Sequence, residues 1–223
     1  MTELSVAEIK HTHWNSNVYE PSDDTFLLVD VLQEYARKWE SNKPRCCLEL
    51  GCGSGFVITS LALLLRQLSL PVRAQLLAID HSPAAAEATA QTLHSHQVGD
   101  VEVVIASLFG PLLDRLQGCV DVLLFNPPYV PTPDEEVEGR GIASAWAGGW
   151  KGRRVIDRVL PLLPKLLSPT GELFMVTVTE NEPKGIIEEM KAHGFQGRIA
   201  GSRQADEETL SIVHLWREPP ITA

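Results

Sequence analysis

Basic residues are in short supply in this chain. Its 19 lysines and arginines face 29 aspartates and glutamates, a formal net charge of −10, and no long basic run gathers them. Nucleic-acid backbones are held largely by cationic contacts, so nucleic acid is not an expected partner. An acidic surface suits a basic protein partner better. Long apolar runs are missing too. The longest, around Leu61–Leu65, is broken by Arg66 and is too short to cross a bilayer. Met1–Lys10 carries no signal-peptide pattern. No membrane association is expected, and the protein reads as cytoplasmic, with the nucleus also open to it. Cysteines number four, with no C-x-x-C spacing. Cys46 and Cys47 are adjacent in an apolar run, so they point to opposite faces of a strand and do not pair. Together with Cys52 and Cys119 they read as small core residues of a reducing compartment. His11 and His13 stand without other ligands nearby and read as part of a solvated tail, so no metal is expected.

The 223 residues are enough for one domain with an ample core. Residues 1–17 are polar and expected to form a flexible tail, 18–217 a single domain, and 218–223 a second tail. Ser22 caps a helix whose first turn holds Asp23 and Asp24, and Phe26, Leu27, Leu28, Val31, Leu32 and Tyr35 give it an apolar face. This helix is expected to cover a sheet. Strands are then predicted at 46–50, 75–79, 101–105, 120–125 and 171–178, and helices at 55–68, 83–96, 111–117, 152–167 and 183–193. Such alternation gives parallel strands joined by right-handed crossovers. Two last strands, 196–203 and 208–216, read as an antiparallel pair. A loop rich in Pro, Gly and acids spans 130–150, a length that inside a compact domain is usually functional.

Chemistry-bearing residues fall at the carboxyl ends of the predicted strands, where open α/β sheets bind ligands. The first strand carries Glu49 and runs into Gly51-Cys52-Gly53-Ser54-Gly55. Glycines there let a ligand approach the backbone. The spacing is not the G-x-G-x-x-G of a dinucleotide site, and the acid would repel a pyrophosphate. The second strand ends at Asp80, placed either to accept hydrogen bonds from ribose hydroxyls or to support the start of the helix at Pro83. The fourth ends in Asn126-Pro127-Pro128-Tyr129. Two prolines fix φ and donate no N–H, which leaves nearby carbonyls free to accept. A planar NH2 group, with two donors in one plane, is the natural occupant of such a notch.

These residues together resemble a class I S-adenosylmethionine-dependent methyltransferase. Val18-Tyr19-Glu20-Pro21-Ser22-Asp23-Asp24-Thr25-Phe26 and Ala145-Trp146-Ala147-Gly148-Gly149 extend the resemblance to the HemK-like glutamine methyltransferases, in their short eukaryotic and archaeal type. It covers about Tyr19 to Trp216. The resemblance implies a Rossmann-like, seven-stranded, mostly parallel sheet with helices on both faces and the last strand antiparallel. It implies S-adenosyl-L-methionine as cofactor, the glutamine of the Gly-Gly-Gln loop of a translation release factor as acceptor, and a small zinc-binding activator subunit docked on edge strand 101–105. Lysine of a histone tail and adenine N6 are the alternative acceptors, since the Asn-Pro-Pro-Tyr motif is shared with adenine methyltransferases.

On that resemblance, Thr25, Glu49, Gly51, Gly53, Asp80, Ser107, Leu108 and Asn126 are expected to bind the cofactor. Glu49 would either hold its amino-acid part or shape the glycine turn. Ser107 stands where the family commonly has an Asp for the adenine amino group, and Leu108 would pack on the ring. The Asn126 side-chain oxygen and the Pro127 carbonyl would accept the two N–H groups of the acceptor amide, favour its pyramidalisation, and so return electron density to nitrogen. Pro128 would hold the turn and Tyr129 pack beside the acceptor. Trp146 either lines the substrate channel or anchors its loop.

Overall fold

A computed structural model describes residues 4–137, 145–205 and 208–217. Seven strands, β1 (Cys46–Leu50), β2 (Gln75–Asp80), β3 (Val101–Ile105), β4 (Val120–Phe125), β5 (Leu167–Val178), β6 (Phe195–Ala205) and β7 (Glu208–Arg217), form one sheet in the order β3-β2-β1-β4-β5-β7-β6. β7 runs antiparallel to both its neighbours, and the other pairings are parallel. The strand order reverses between β1 and β4. That switch point opens a crevice above the carboxyl ends of the strands.

Side-chain alternation assigns the two faces. Cys47, Val122, Leu124, Phe174 and Val176 pack under helices α1 (Asp23–Ala36) and α2 (Phe56–Arg66), and Leu93 of α3 (Pro83–Ser95) joins the same cluster. Cys46, Leu48, Leu123, Phe125 and Met175 face the other way, toward the helical stretch 156–166 and helix α4 (Pro183–Lys191). α2 is buried along nearly its whole length, which is why it is apolar all round. α4 buries only Ile186, Ile187 and Met190 and is amphipathic.

Five expectations need correction. The helix predicted over 152–167 is broken into Ile156–Val159, a 3₁₀ turn Leu160–Leu162, and Leu163–Leu166. Pro161 and Pro164 interrupt an otherwise helical apolar pattern by removing backbone donors. The helix predicted at 111–117 shrinks to a 3₁₀ turn, Gly110–Leu112. Ser22 occupies the N-cap position of α1 but makes no side-chain capping bond. The stretch 4–17 is strapped down rather than loose. Ala7 N–H donates to Ser60 Oγ at 3.2 Å, Glu8 N–H to His96 Nε2 at 2.8 Å and His13 N–H to Thr92 Oγ1 at 2.9 Å, and Ala7 is buried. The second tail, 218–223, lies outside the described residues. Cys46, Cys47 and Cys52 are buried as expected, whereas Cys119 is exposed. No helix among the described residues is long and apolar enough to cross a membrane, and among them no His, Cys, Asp and Glu side chains group as a metal site.

Candidate active site

Above the switch point lies a cavity of about 920 Å³. Its floor is the carboxyl ends of β1, β2 and β4: Leu50, Gly51, Ile79, Asp80, Phe125 and Asn126. Asn17, Val18 and Tyr19, at the end of the N-terminal strap, border it, as do Ala106, Ser107 and Leu108 after β3. A smaller cavity of about 460 Å³, lined by Leu65, Arg66, Val72 and Asp100 among others, sits at the amino ends of β2 and β3, away from these groups.

The glycine turn folds over the end of β2. Gly51 N–H and Cys52 N–H both donate to Ile79 O, and Gly53 N–H donates to Asp80 Oδ2 at 3.0 Å. Gly53 has φ +51°, and a Cβ added there would meet nothing within 4 Å. Its backbone is therefore open to close approach by a ligand. Asp80 also accepts from Ser82 N–H at 2.9 Å through Oδ1. Helix α3 is capped by Ser82, whose Oγ accepts from Ala85 N–H. Capping does not need Asp80, so each of its carboxylate oxygens keeps lone-pair capacity beyond its one backbone donor. This is the chemistry that holds a ribose diol.

Glu49 takes a different place. It is 2% exposed, is absent from the cavity lining, and accepts from Ile58 N–H in the first turn of α2 at 2.8 Å. It shapes the glycine turn by holding the helix that follows. Burial drives its pKa well above the usual carboxyl value, against the pull of the Ile58 bond, with Asp80 adding to the rise.

The acceptor end is built around a residue that the sequence reading took only as a helix-dipole acid. Asp24, 3% exposed, accepts from Asn126 Nδ2 at 3.0 Å and Tyr129 Oη at 3.1 Å through Oδ2, and from Thr25 N and Oγ1 at 2.6 and 3.1 Å through Oδ1. Burial and then Asp24 push Tyr19 up to about 12, and they push Tyr129 up as well. Both stay phenols. Asn126 Oδ1 is buried with no partner. Asp24 carries a signal of its own: it stands four and eight residues before Leu28 and Leu32, so it is an acid on the apolar face of its helix.

Of the expected site residues, Gly51, Gly53, Asp80, Ser107, Leu108, Asn126 and Pro128 line the cavity. Thr25, Glu49, Pro127, Tyr129 and Trp146 do not. Thr25 is turned onto Asp24, and Tyr129 is drawn to the same carboxylate. Trp146 is 36% exposed and its carbonyl accepts from Val130 N–H, so it anchors the loop while Ala145 lines the cavity. Of loop 130–150, residues 138–144 lie outside the described residues. The rest folds back through an isolated bridge between Val130 and Ala147. Asn181, fully buried, donates to both Tyr129 O at 2.9 Å and Lys151 O at 2.8 Å. Gly152 has φ +66°, and a Cβ there would come within 1.8 Å of Tyr129 O. The glycines of this loop are what lets the Asn-Pro-Pro-Tyr turn pack against it.

A sheet of this order with its reversed β7, opening at a glycine turn, an acid and an Asn-Pro-Pro-Tyr notch, is that of a class I methyltransferase. No protein-family model matches the chain. Its relatives narrow the class. Over 197 residues it is 48% identical to Methyltransferase HEMK2 of Mus musculus, covering 88% of each chain. It is 36% identical over 208 residues to the eRF1 methyltransferase catalytic subunit mtq2 of Schizosaccharomyces pombe, covering 90% of each. The E. cuniculi Mtq2 chain, solved as a Mtq2-Trm112 complex responsible for methylation of the eRF1 translation termination factor, superposes with a TM-score of 0.63 at 29% identity, over 91% of this chain and 99% of that one. The chain belongs to the HEMK2 family of methyltransferases.

Proposed function

We propose that this chain transfers a methyl group from S-adenosylmethionine to the side-chain amide nitrogen of a glutamine in the eRF1-type release factor, as the catalytic subunit of a pair with a small zinc-binding activator. The observation that carries the reading is the buried, partnerless Oδ1 of Asn126, a residue that lines the cavity. A buried acceptor left unpaired costs about 1–3 kcal/mol, and an N–H donor from an acceptor amide relieves that cost. The names of the relatives supply the acceptor and the partner.

The residues fit the cofactor. Asp80 offers acceptors for a diol, Gly53 leaves its backbone open, and Leu50, Ile79, Leu108 and Phe125 give apolar walls for an adenosine. Ser107 in place of the family Asp gives an uncharged contact to the adenine edge. When bound, S-adenosylmethionine supplies a methyl group made electrophilic by its sulfonium. Asn126 Oδ1 would accept one N–H of the amide, and the Pro127 carbonyl, next in the same turn although outside the cavity lining, would accept the other. Holding both would favour a pyramidal nitrogen and return electron density to it. The amide proton would leave nitrogen only after transfer, so the residues at the site need supply no base during it.

The activator is assigned to the β3 edge of the sheet, the other edge being β6. β3 pairs only with β2, and Ile105 at its end is 57% exposed. An apolar edge of that kind needs a cover. A reaction on a release factor would put the protein in the cytoplasm.

The test incubates the chain and its activator with labelled S-adenosylmethionine and three acceptors: release factor, a histone-tail peptide and an oligonucleotide. Label is expected on the release-factor glutamine. Label confined to the lysine peptide or to the oligonucleotide overturns the acceptor.

A further inference from the structure

Asn126 can serve as an acceptor only if its amide is the right way round, and nothing in the Asn-Pro-Pro-Tyr turn itself decides that. We infer that Asp24 is the residue that decides it: a positioning residue for methyl transfer, which fixes the Asn126 amide with its oxygen free. This rests on the reading of the site given above.

The argument is one of donors and acceptors. Asn126 turns its Nδ2 to Asp24 Oδ2 at 3.0 Å, the orientation in which a carboxylate oxygen accepts and the amide NH2 donates. That leaves Oδ1 as the end without a partner, as observed. Thr25 completes the device. Its N–H and its hydroxyl both donate to Asp24 Oδ1, so Oδ2 is left for Asn126 and Tyr129. The carboxylate thus holds four donors, two on each oxygen. It sits in the first turn of α1, 102 residues away in sequence from Asn126, on a helix that is firmly buried against the sheet. A donor at position 24 would reverse the order.

The isosteric variant Asp24→Asn makes the inference testable. Thr25 requires an acceptor where Oδ1 was, so the new amide keeps its oxygen there and turns its NH2 toward Asn126. Two NH2 groups cannot face each other. Asn126 turns over and offers its own NH2 where the acceptor amide must donate. Transfer to the release factor, measured with the activator present, should fall about a hundredfold, as when one stabilising group is removed from an active site. The fall should be in kcat. The KM for release factor, the cofactor Kd by calorimetry and the melting temperature should stay at parental values. General damage to the fold would move all of them.

The double variant Asp24→Asn with Asn126→Asp supplies the rescue. The amide introduced at position 24 then donates to one oxygen of the new carboxylate, and the other oxygen is again a free acceptor. Most of the lost rate should return. Parental kcat in Asp24→Asn overturns the inference, and so does a double variant no faster than the single one. Should Asp24→Asn not fold, asparagine-labelled parent protein gives a second reading. The Asn126 side-chain NH2, bonded to a buried carboxylate, should exchange with solvent far more slowly than the NH2 of exposed Asn42, and equal exchange overturns the inference. Asn126→Ala separates the two levels. Loss of transfer there with parental rates in Asp24→Asn sinks only the positioning role, whereas parental transfer in Asn126→Ala sinks the acceptor reading and this inference together.

Discussion

The two ends of helix α1 each serve a buried carboxylate, and the two clusters are put together differently. At its first turn, Asp24 gathers Asn126, Tyr129 and Thr25 beside the large cavity and leaves Asn126 Oδ1 without a partner. Beyond its last turn, Trp39 Nε1 donates to Glu172 Oε1 at 2.6 Å while His214 Nε2 meets Glu172 Oε2 at 2.7 Å. Phe174 stacks on that imidazole with ring centroids 4.4 Å apart, and Tyr35 closes on it edge-on. Here too one polar atom is orphaned, His214 Nδ1, but it lies within an aromatic wall on no described cavity. Of the two orphans, only the first belongs to a residue that lines the large cavity. The same cost in the second cluster serves only to tie β5, β7 and the end of α1 together.

Substitutions should split the clusters. Glu172→Ala strands two buried donors and should cost about 3–5 kcal/mol of stability, read by denaturant unfolding, with transfer per folded molecule kept. A parental midpoint would dissolve the contrast. Asn126→Ala should do the converse, with kcat down about 10²–10³-fold and the unfolding midpoint hardly moved. Glu49 sharpens the picture, because it is a buried carboxyl whose pKa burial raises above 4.5. The folded state then binds the proton more tightly than the unfolded chain does. Its contribution is present in full below the unfolded pKa and is lost as pH rises toward the folded one. Glu49→Gln keeps an acceptor for Ile58 and removes the titration. The melting-temperature gain of the variant over its parent should therefore grow as pH rises above the ordinary carboxyl range, and a difference that does not change with pH would show that the carboxyl does not titrate. The smallest effect concerns thiols. One cysteine, Cys119, is exposed, and burial together with the Asp121 charge pushes Cys46 up to about 11. A thiol reagent should label one site in the native protein and four after unfolding, and labelling of Cys46 in the native state would contradict that packing.

Much of the fold was readable because strong periodicity and punctuation coincide. β1, β2 and β4 are short apolar runs that each stop at a chemically distinctive residue, and the parallel pairing of β1 to β5 follows from the alternation of strands and helices. What escaped reading depends on contacts distant in sequence. Asp24 looked like an ordinary acid at a helix start because its partners stand more than a hundred positions on. Glu49 was open between two roles until its bond to Ile58 was seen. Residues 4–17 looked like a tail because they are held by side-chain acceptors, Ser60, Thr92 and His96, that belong to other elements. The breaks at Pro161 and Pro164 were the opposite case, a local signal outweighed by a persuasive apolar pattern.

The strap has a practical corollary for anyone preparing this enzyme. Asn17, Val18 and Tyr19 wall the cavity, and the dozen residues before them are what keeps that wall standing. An amino terminus pared back to a supposedly cleaner domain start would leave one side of that cavity unsupported.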